Sequence, residues 1–219
     1  MLGDKAIIGH AIFLGHHSWL HWPTQTDLAD FADTGTTVAH CPTVFSRRGI
    51  LLEDFGRYRA AGVNLGIGTD TFPHNFVEEL RTAAILARIA ADNAHAVTAA
   101  DIFTAATIGG ARGLGRRDLG RIAPGAKADF MMVDITHPAM QPLYDPVRQH
   151  GLCRRSARRA ACFVGGQQVV RDGNALAFDY ADASARLEMA QRRAVEKLPR
   201  LDWGGRSAAE IMRLTFRSG

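Results

Sequence analysis

Three apolar runs in the first third of the chain each close near an ionisable group. "KAIIG" leads into His10, "TTVA" into His40, and "VNLGIGT" into Asp70. A carboxylate and imidazoles gathered on one edge could bind a metal ion, take a proton from a water, or steady charge on a substrate. Parallel strands deliver their C-terminal ends to one rim, where such groups meet. Each residue also has an ordinary reading. Asp70 could cap the turn that follows, toward His74 or Asn75. His10 could be a satisfied core or rim histidine.

Other candidates lie between them. His16, His17 and His21 sit with two tryptophans in "GHHSWLHWP". They could form a metal tract or a substrate rim, or simply a partly buried aromatic loop. Cys41 follows His40, but neighbours along a strand point to opposite faces, so Cys41 reads as structural. Arg47 and Arg48 in "FSRRG" could meet an anionic or carbonyl-bearing substrate, or make a solvated turn. Glu78 and Glu79 open a long helix, where acidic residues suit the helix dipole. No glycine-rich stretch matches a phosphate-cradling pattern.

The elements that must position these groups alternate. Strands are expected in 5–15, 36–42 and 63–70, and helices in 25–35, 52–62, 75–93 and 98–115. Nearly continuous apolar strands separated by helices of about ten residues mark a parallel sheet covered by helices, an α/β fold. Thr98 can cap the last of these helices, with Asp101 three residues on. After residue 119 the texture changes to turns and short strands, including two across Gly165-Gly166. A final helix is expected over about 180–198. This divides the chain into an α/β part over 1–118, a small β appendage over 119–178, and a helix and tail over 179–219.

The chain has 219 residues, 47% hydrophobic and 22% charged, which suits a folded protein with a sizeable core. The formal charge of +4 is mild. Basic clusters at 153–159 and at Arg192-Arg193 read as wet surface rather than a nucleic-acid footprint. Three cysteines without metal-site spacing argue against a disulfide framework and for a reducing compartment. No apolar run is long enough to span a membrane. A cytoplasmic protein with neither nucleic-acid nor membrane partners is expected.

The order of motifs "GHAIFL", "TTVAHCPTVFSRRG", "AGVNLGIGTDTFPHN", "EELRTAA", "ATIGGARGLGRRDLGRIAPGAKADFMMVD" and "CFVGGQQVVRDG" resembles the C-terminal half of the amidohydrolase superfamily, in its deaminase and chlorohydrolase branch. The resemblance covers residues 5–175. It implies part of a (β/α)8 TIM-like barrel, strands six to eight with their helices, plus part of a small β-sandwich. It implies a metal-dependent hydrolase of non-peptide C–N bonds, deaminating a purine, pyrimidine or related heterocycle with a metal-activated water. The metal would be zinc or iron. Asp70 matches the aspartate ending the eighth strand, a metal ligand and proton acceptor. His10 matches the histidine ending the sixth, which would steady the hydroxide or the developing charge. His40 matches the histidine of the seventh-strand "HCP" motif. His40, Arg47 and His74 are the substrate-binding candidates.

The departures are as informative. The family carries His-x-His on its first barrel strand and a further histidine on its fifth, usually followed by a glutamate. This sequence contains neither His-x-His nor His-x-x-Glu. Of the usual metal ligands only Asp70 is present. A homo-oligomer or a complementary N-terminal half is the expected partner, with an inactive barrel fragment as the alternative. Where relatives often carry Ser-Asn, this chain has Phe45-Ser46-Arg47-Arg48, which alters the expected substrate rim.

Overall fold

β-branched and glycine-containing runs form three short strands, and apolar helical stripes pack on them. The computed structural model describes residues 1–53, 55–72, 74–136, 138–148 and 159–212. Strand β1 (Ile7–Gly9) is followed by helix α1 (Asp27–Thr34), β2 (Thr37–His40), α2 (Pro42–Ser46), α3 (Phe55–Ala60) and β3 (Asn64–Ile67). The three strands form one parallel sheet in the order β1-β2-β3, with Ile7 opposite Thr37 and Thr37 opposite Asn64. Helix α1 stops at Gly35, whose left-handed backbone (φ 71°) returns its N–H to the carbonyls of Phe31 and Ala32. Pro42 was expected to close a strand; it opens α2 instead, at the first helical turn, where its missing N–H costs nothing.

The core lies between this sheet and the helices. Val38 and Leu65 from the strands meet Phe31, Phe55, Tyr58, Leu80, Ala83, Ala84, Ala87 and Ile102. The Tyr58 hydroxyl donates to the Ala11 carbonyl at 2.5 Å, which ties α3 to the segment leaving β1. Burial pushes that phenol well above its ordinary pKa. Helix α4 (Phe76–Ala90) starts at Asn75, whose side chain accepts from Glu78 N–H. Its buried face holds Val77, Glu79, Leu80, Ala83, Ala84 and Ala87, so the stripe is rotated from the expected one and Phe76 lies at its exposed edge.

The single helix expected over 98–115 is divided. Thr98 and Asp101 form a reciprocal capping box at the start of α5 (Ala99–Thr104). A π-helical turn (Ala105–Gly109) follows, then α6 (Gly110–Gly113). The wider turn lets bare backbone lie against β3. Asn64 Nδ2 donates to the Gly109 carbonyl at 3.0 Å and to Thr37 Oγ1 at 2.9 Å. A methyl group on Gly109 would stand 2.0 Å from the Leu65 carbonyl oxygen.

Farther along come β4 (Phe130–Val133), α7 (Pro146–Arg148), β5 (Arg159–Val164), β6 (Gln167–Arg171) and β7 (Asn174–Ala175). The four strands form an antiparallel sheet in chain order. Its β5-β6 hairpin turns at Gly165 and Gly166, both with positive φ, as a two-residue turn of that hand requires. Phe130 and Phe163 stack across β4 and β5 at 4.6 Å. Helix α8 (Tyr180–Leu201) is capped by Asp179 and continues through Pro199, three residues beyond the expected end; α9 (Ala208–Ile211) follows. Cys153 and the arginines at 154, 155 and 158 lie outside the described residues.

The Gly109 contact makes a direct prediction. Gly109→Ala forces the π turn off β3 and lowers the unfolding free energy by about 1–3 kcal/mol, read from a urea or thermal melt. An unchanged melt would show that the turn does not press on the sheet.

Candidate active site

The ends of the three strands meet as the sheet dictates. The N–H of His10 donates to the Ala39 carbonyl at 2.9 Å, and the N–H of Gly68 donates to the His40 carbonyl at 2.9 Å. The ladder thus runs on past the strands and fixes where each chain leaves the sheet. His10, Asp70 and His74 then adopt left-handed backbone, with φ of 65°, 55° and 49°. For residues other than glycine this conformation costs about 1–2 kcal/mol each. It persists only where the surroundings over-determine it, and such strain gathers at functional sites.

The result is a pair. His10 Nε2 lies 3.5 Å from Asp70 Oδ2, with both side chains partly open to solvent. The ring of Phe45, on α2, stands edge-on to the His10 ring at 4.6 Å. Asp70 does not cap the next helix, since Asn75 does that. The carboxylate is left facing the histidine. His74 Nδ1 lies 3.1 Å from Thr69 Oγ1, which folds the turn back beside Asp70.

His40 lies deeper. It is buried, its ring tilted against Phe55 at 5.8 Å. Burial, and next the nearby charge of His10, push its pKa down to about 4. It is neutral at physiological pH and stands beneath the rim rather than on it. The Nδ1 atoms of both His10 and His40 are buried without a hydrogen-bond partner among the described residues.

Arg47 joins the rim from α2. Its Nη1 donates to the Phe72 carbonyl at 3.1 Å, and its guanidinium lies over the Phe72 ring at 5.4 Å. Neighbouring Arg48 lies over Phe45 at 5.9 Å. Cys41 is a free, buried thiol whose pKa is raised to about 11 by burial and then by the charges of Asp70 and Glu79, so it is an unreactive packing group.

Sequence reasoning missed the role of Glu79. It is buried on the inner face of α4. Its Oε2 accepts the Thr43 N–H at 3.1 Å, capping α2 from another helix. Burial raises its pKa, and the Thr43 bond opposes that rise. Glu79 shares a four-residue spacing with the core residues Ala83 and Ala87, but that spacing does not express the bond to another helix that sets its place.

The loop histidines do not join the pair. His17 is buried, accepts the Trp19 N–H on Nδ1 at 3.1 Å, and turns Nε2 toward Glu53 at 3.9 Å. His16 packs edge-on to Tyr58 at 5.3 Å. Among the described residues no group of three His, Cys, Asp or Glu side chains could hold a metal ion. A catalytic zinc site needs about three protein ligands and a water. The described residues therefore do not fit a metal centre by themselves. An apolar cavity of about 600 Å³ lies elsewhere, between α4, α5 and β4, and contains none of the rim residues. No helix among the described residues is long and apolar enough to cross a membrane.

The buried His40 makes stability depend on pH. Its pKa near 4 in the folded state lies below the ordinary 6.5, so the unfolded chain binds the proton first. Stability from the neutral ring is full above pH 6.5 and drains away as pH falls toward 4, by on the order of 3 kcal/mol. A His40→Asn variant should flatten the urea-unfolding profile across that window. Parallel profiles for the two proteins would contradict the buried, neutral assignment.

Comparison with known proteins identifies the family. The sequence profile described as "Amidohydrolase family" matches residues 2–174. A 5-methylthioadenosine/S-adenosylhomocysteine deaminase of Natronomonas pharaonis is 36% identical over 182 residues, covering 81% of this chain and 41% of that protein. The enzyme of the same description from Halobacterium salinarum is 33% identical and covered over 43% of its length. The chain thus spans less than half the length of the curated relatives it matches. Among solved structures, a zinc-bound adenosine deaminase of Xanthomonas campestris superposes with a TM-score of 0.77 at 30% identity, over 88% of this chain and 43% of that one. A zinc complex of the atrazine chlorohydrolase of Arthrobacter aurescens superposes with a TM-score of 0.73 at 25% identity, over 85% and 41%. The chain belongs to the amidohydrolase family.

Proposed function

We propose that this chain supplies the His10–Asp70 part of a hydrolase site that removes ammonia from an amino-substituted heterocycle. The observation that carries the reading is the 3.5 Å approach of His10 Nε2 to Asp70 Oδ2, on two residues held in left-handed backbone. The three parallel strands then correspond to the sixth to eighth strands of a (β/α)8 barrel, whose strand ends carry the chemistry. Deamination is favoured over loss of halide because the relatives at 36% and 30% identity are both deaminases by name.

In the reaction, a water oxygen adds to the ring carbon, the C–N bond breaks, and ammonia leaves. Two protons must move, one from the water and one to the leaving nitrogen. Asp70 is open to solvent and free of a helix-capping duty, so it can accept the first and deliver the second. His10 stands beside that carboxylate and can stabilise the developing negative charge on the oxygen. His40, neutral and buried, supports the floor of the site. His74 and Arg47 border it on the substrate side.

The zinc found in solved relatives suits such chemistry, but the described residues here cannot complete a site for zinc or iron. In this reading the ligands that the described residues lack come from further polypeptide, more of a longer chain or a complementary half on a partner, as the greater length of the curated relatives supports. The free thiols Cys41 and Cys162 suit a reducing cytoplasm.

The test is ammonia release by the protein isolated from its source cells, assayed with adenine-, guanine- and cytosine-type amines. Asp70→Asn should reduce turnover about 100- to 10,000-fold while leaving the thermal melt close to wild type. Full activity in that variant would remove Asp70 from the chemistry.

A further inference from the structure

The geometry points to Arg47 as a specificity-determining residue that reads an oxygen on the edge of the substrate ring. This rests on the site proposed above and narrows its substrate class to heterocycles carrying an oxo group. The argument begins with how Arg47 is held. Helix α2 is clamped at its start, where Glu79 accepts the Thr43 N–H. Two residues on, Phe45 packs against His10. Arg47 follows, donating through Nη1 to the Phe72 carbonyl, with its guanidinium over the Phe72 ring. Phe72 is two residues beyond Asp70, so its backbone lies within about 7 Å of that of the carboxylate residue. The guanidinium is therefore tied to the same rim as the His10–Asp70 pair.

A guanidinium has five N–H donors in a rigid fork, and the Phe72 carbonyl occupies one of its nitrogens. The Phe72 carbonyl and ring hold the guanidinium from one side and limit where the fork can point. The group remains exposed rather than buried in the loop. The Phe72 ring stands with it, and Phe45, which carries the Arg48 guanidinium, lies two residues before it in the chain. That combination, apolar ring faces and a planar cationic donor, suits a flat ring whose edge presents an acceptor. A carbonyl oxygen conjugated with ring nitrogens carries much of the ring's negative charge and accepts from such a fork. An amino or methyl substituent in that position would leave the donors without a partner.

A purely structural role would make Arg47 a latch between the loops after β2 and β3. The two roles separate in a binding measurement. Hypoxanthine and 6-methylpurine differ by an oxygen against a methyl group, and neither carries an amino group to be removed. Calorimetric titration of the protein isolated from its source cells should show hypoxanthine binding about tenfold or more tightly. Arg47→Met should abolish that preference, and Arg47→Lys, which keeps the charge but loses the fork, should restore only part of it. Equal affinity for the two purines in the wild type, binding of neither, or a preference that survives in Arg47→Met would each overturn the assignment. Ammonia release by the same preparation reports separately on the hydrolase. No release with the oxygen preference intact would overturn the deaminase reading alone. Release without the preference would overturn the Arg47 assignment alone.

Discussion

The backbone ladder that joins β1 to β2 and β2 to β3 continues one step beyond the strands, through the N–H of His10 and the N–H of Gly68. The rest of the site depends on that extension. It sets the same exit level for three chain segments, and each segment carries an ionisable side chain near that exit. Each backbone bond contributes only about 1 kcal/mol net. Its larger effect is positional, since it holds His10 where a left-handed turn aims the ring at Asp70. Helices α2 and α4 then close the rim from the side, joined by the Glu79 cap.

The ionisable groups sort by depth. His40 and Glu79 are buried, and burial shifts each toward its neutral form. Cys41, also buried, stays a thiol for the same reason. His10 and Asp70 keep access to solvent. A neutral floor beneath an open, polar pair limits the number of like charges crowded into a small volume. The Nδ1 atoms of His10 and His40 are buried there without a hydrogen-bond partner among the described residues.

Much of this was legible in the sequence. The apolar runs and glycine stops gave the strand and helix order, and parallel strands imply a shared rim, so His10, His40 and Asp70 could be grouped before any coordinates. The capping box at Thr98 and Asp101 was visible from residue types alone. Three features were not. The π turn at 105–109 arises from close packing of Gly109 on Leu65, a tertiary contact that helical periodicity cannot express. The rotation of the α4 face follows from Glu79 serving another helix. The depth of His40 against the openness of His10 depends on Phe55 and Phe45, which come from elements distant in the chain. Residue identity marked the candidates; tertiary packing assigned their exposure.

The central claim is that the His10–Asp70 pair is part of a metal-dependent site completed by polypeptide outside these 219 residues. Native mass spectrometry of the protein from its source cells, read for polypeptide and bound metal together, tests it most directly. The account predicts an assembly with additional polypeptide, as a longer chain or a second subunit, and about one zinc or iron ion per His10–Asp70 pair. The 219-residue chain on its own, whether free of metal or holding a full complement of it, would contradict the claim.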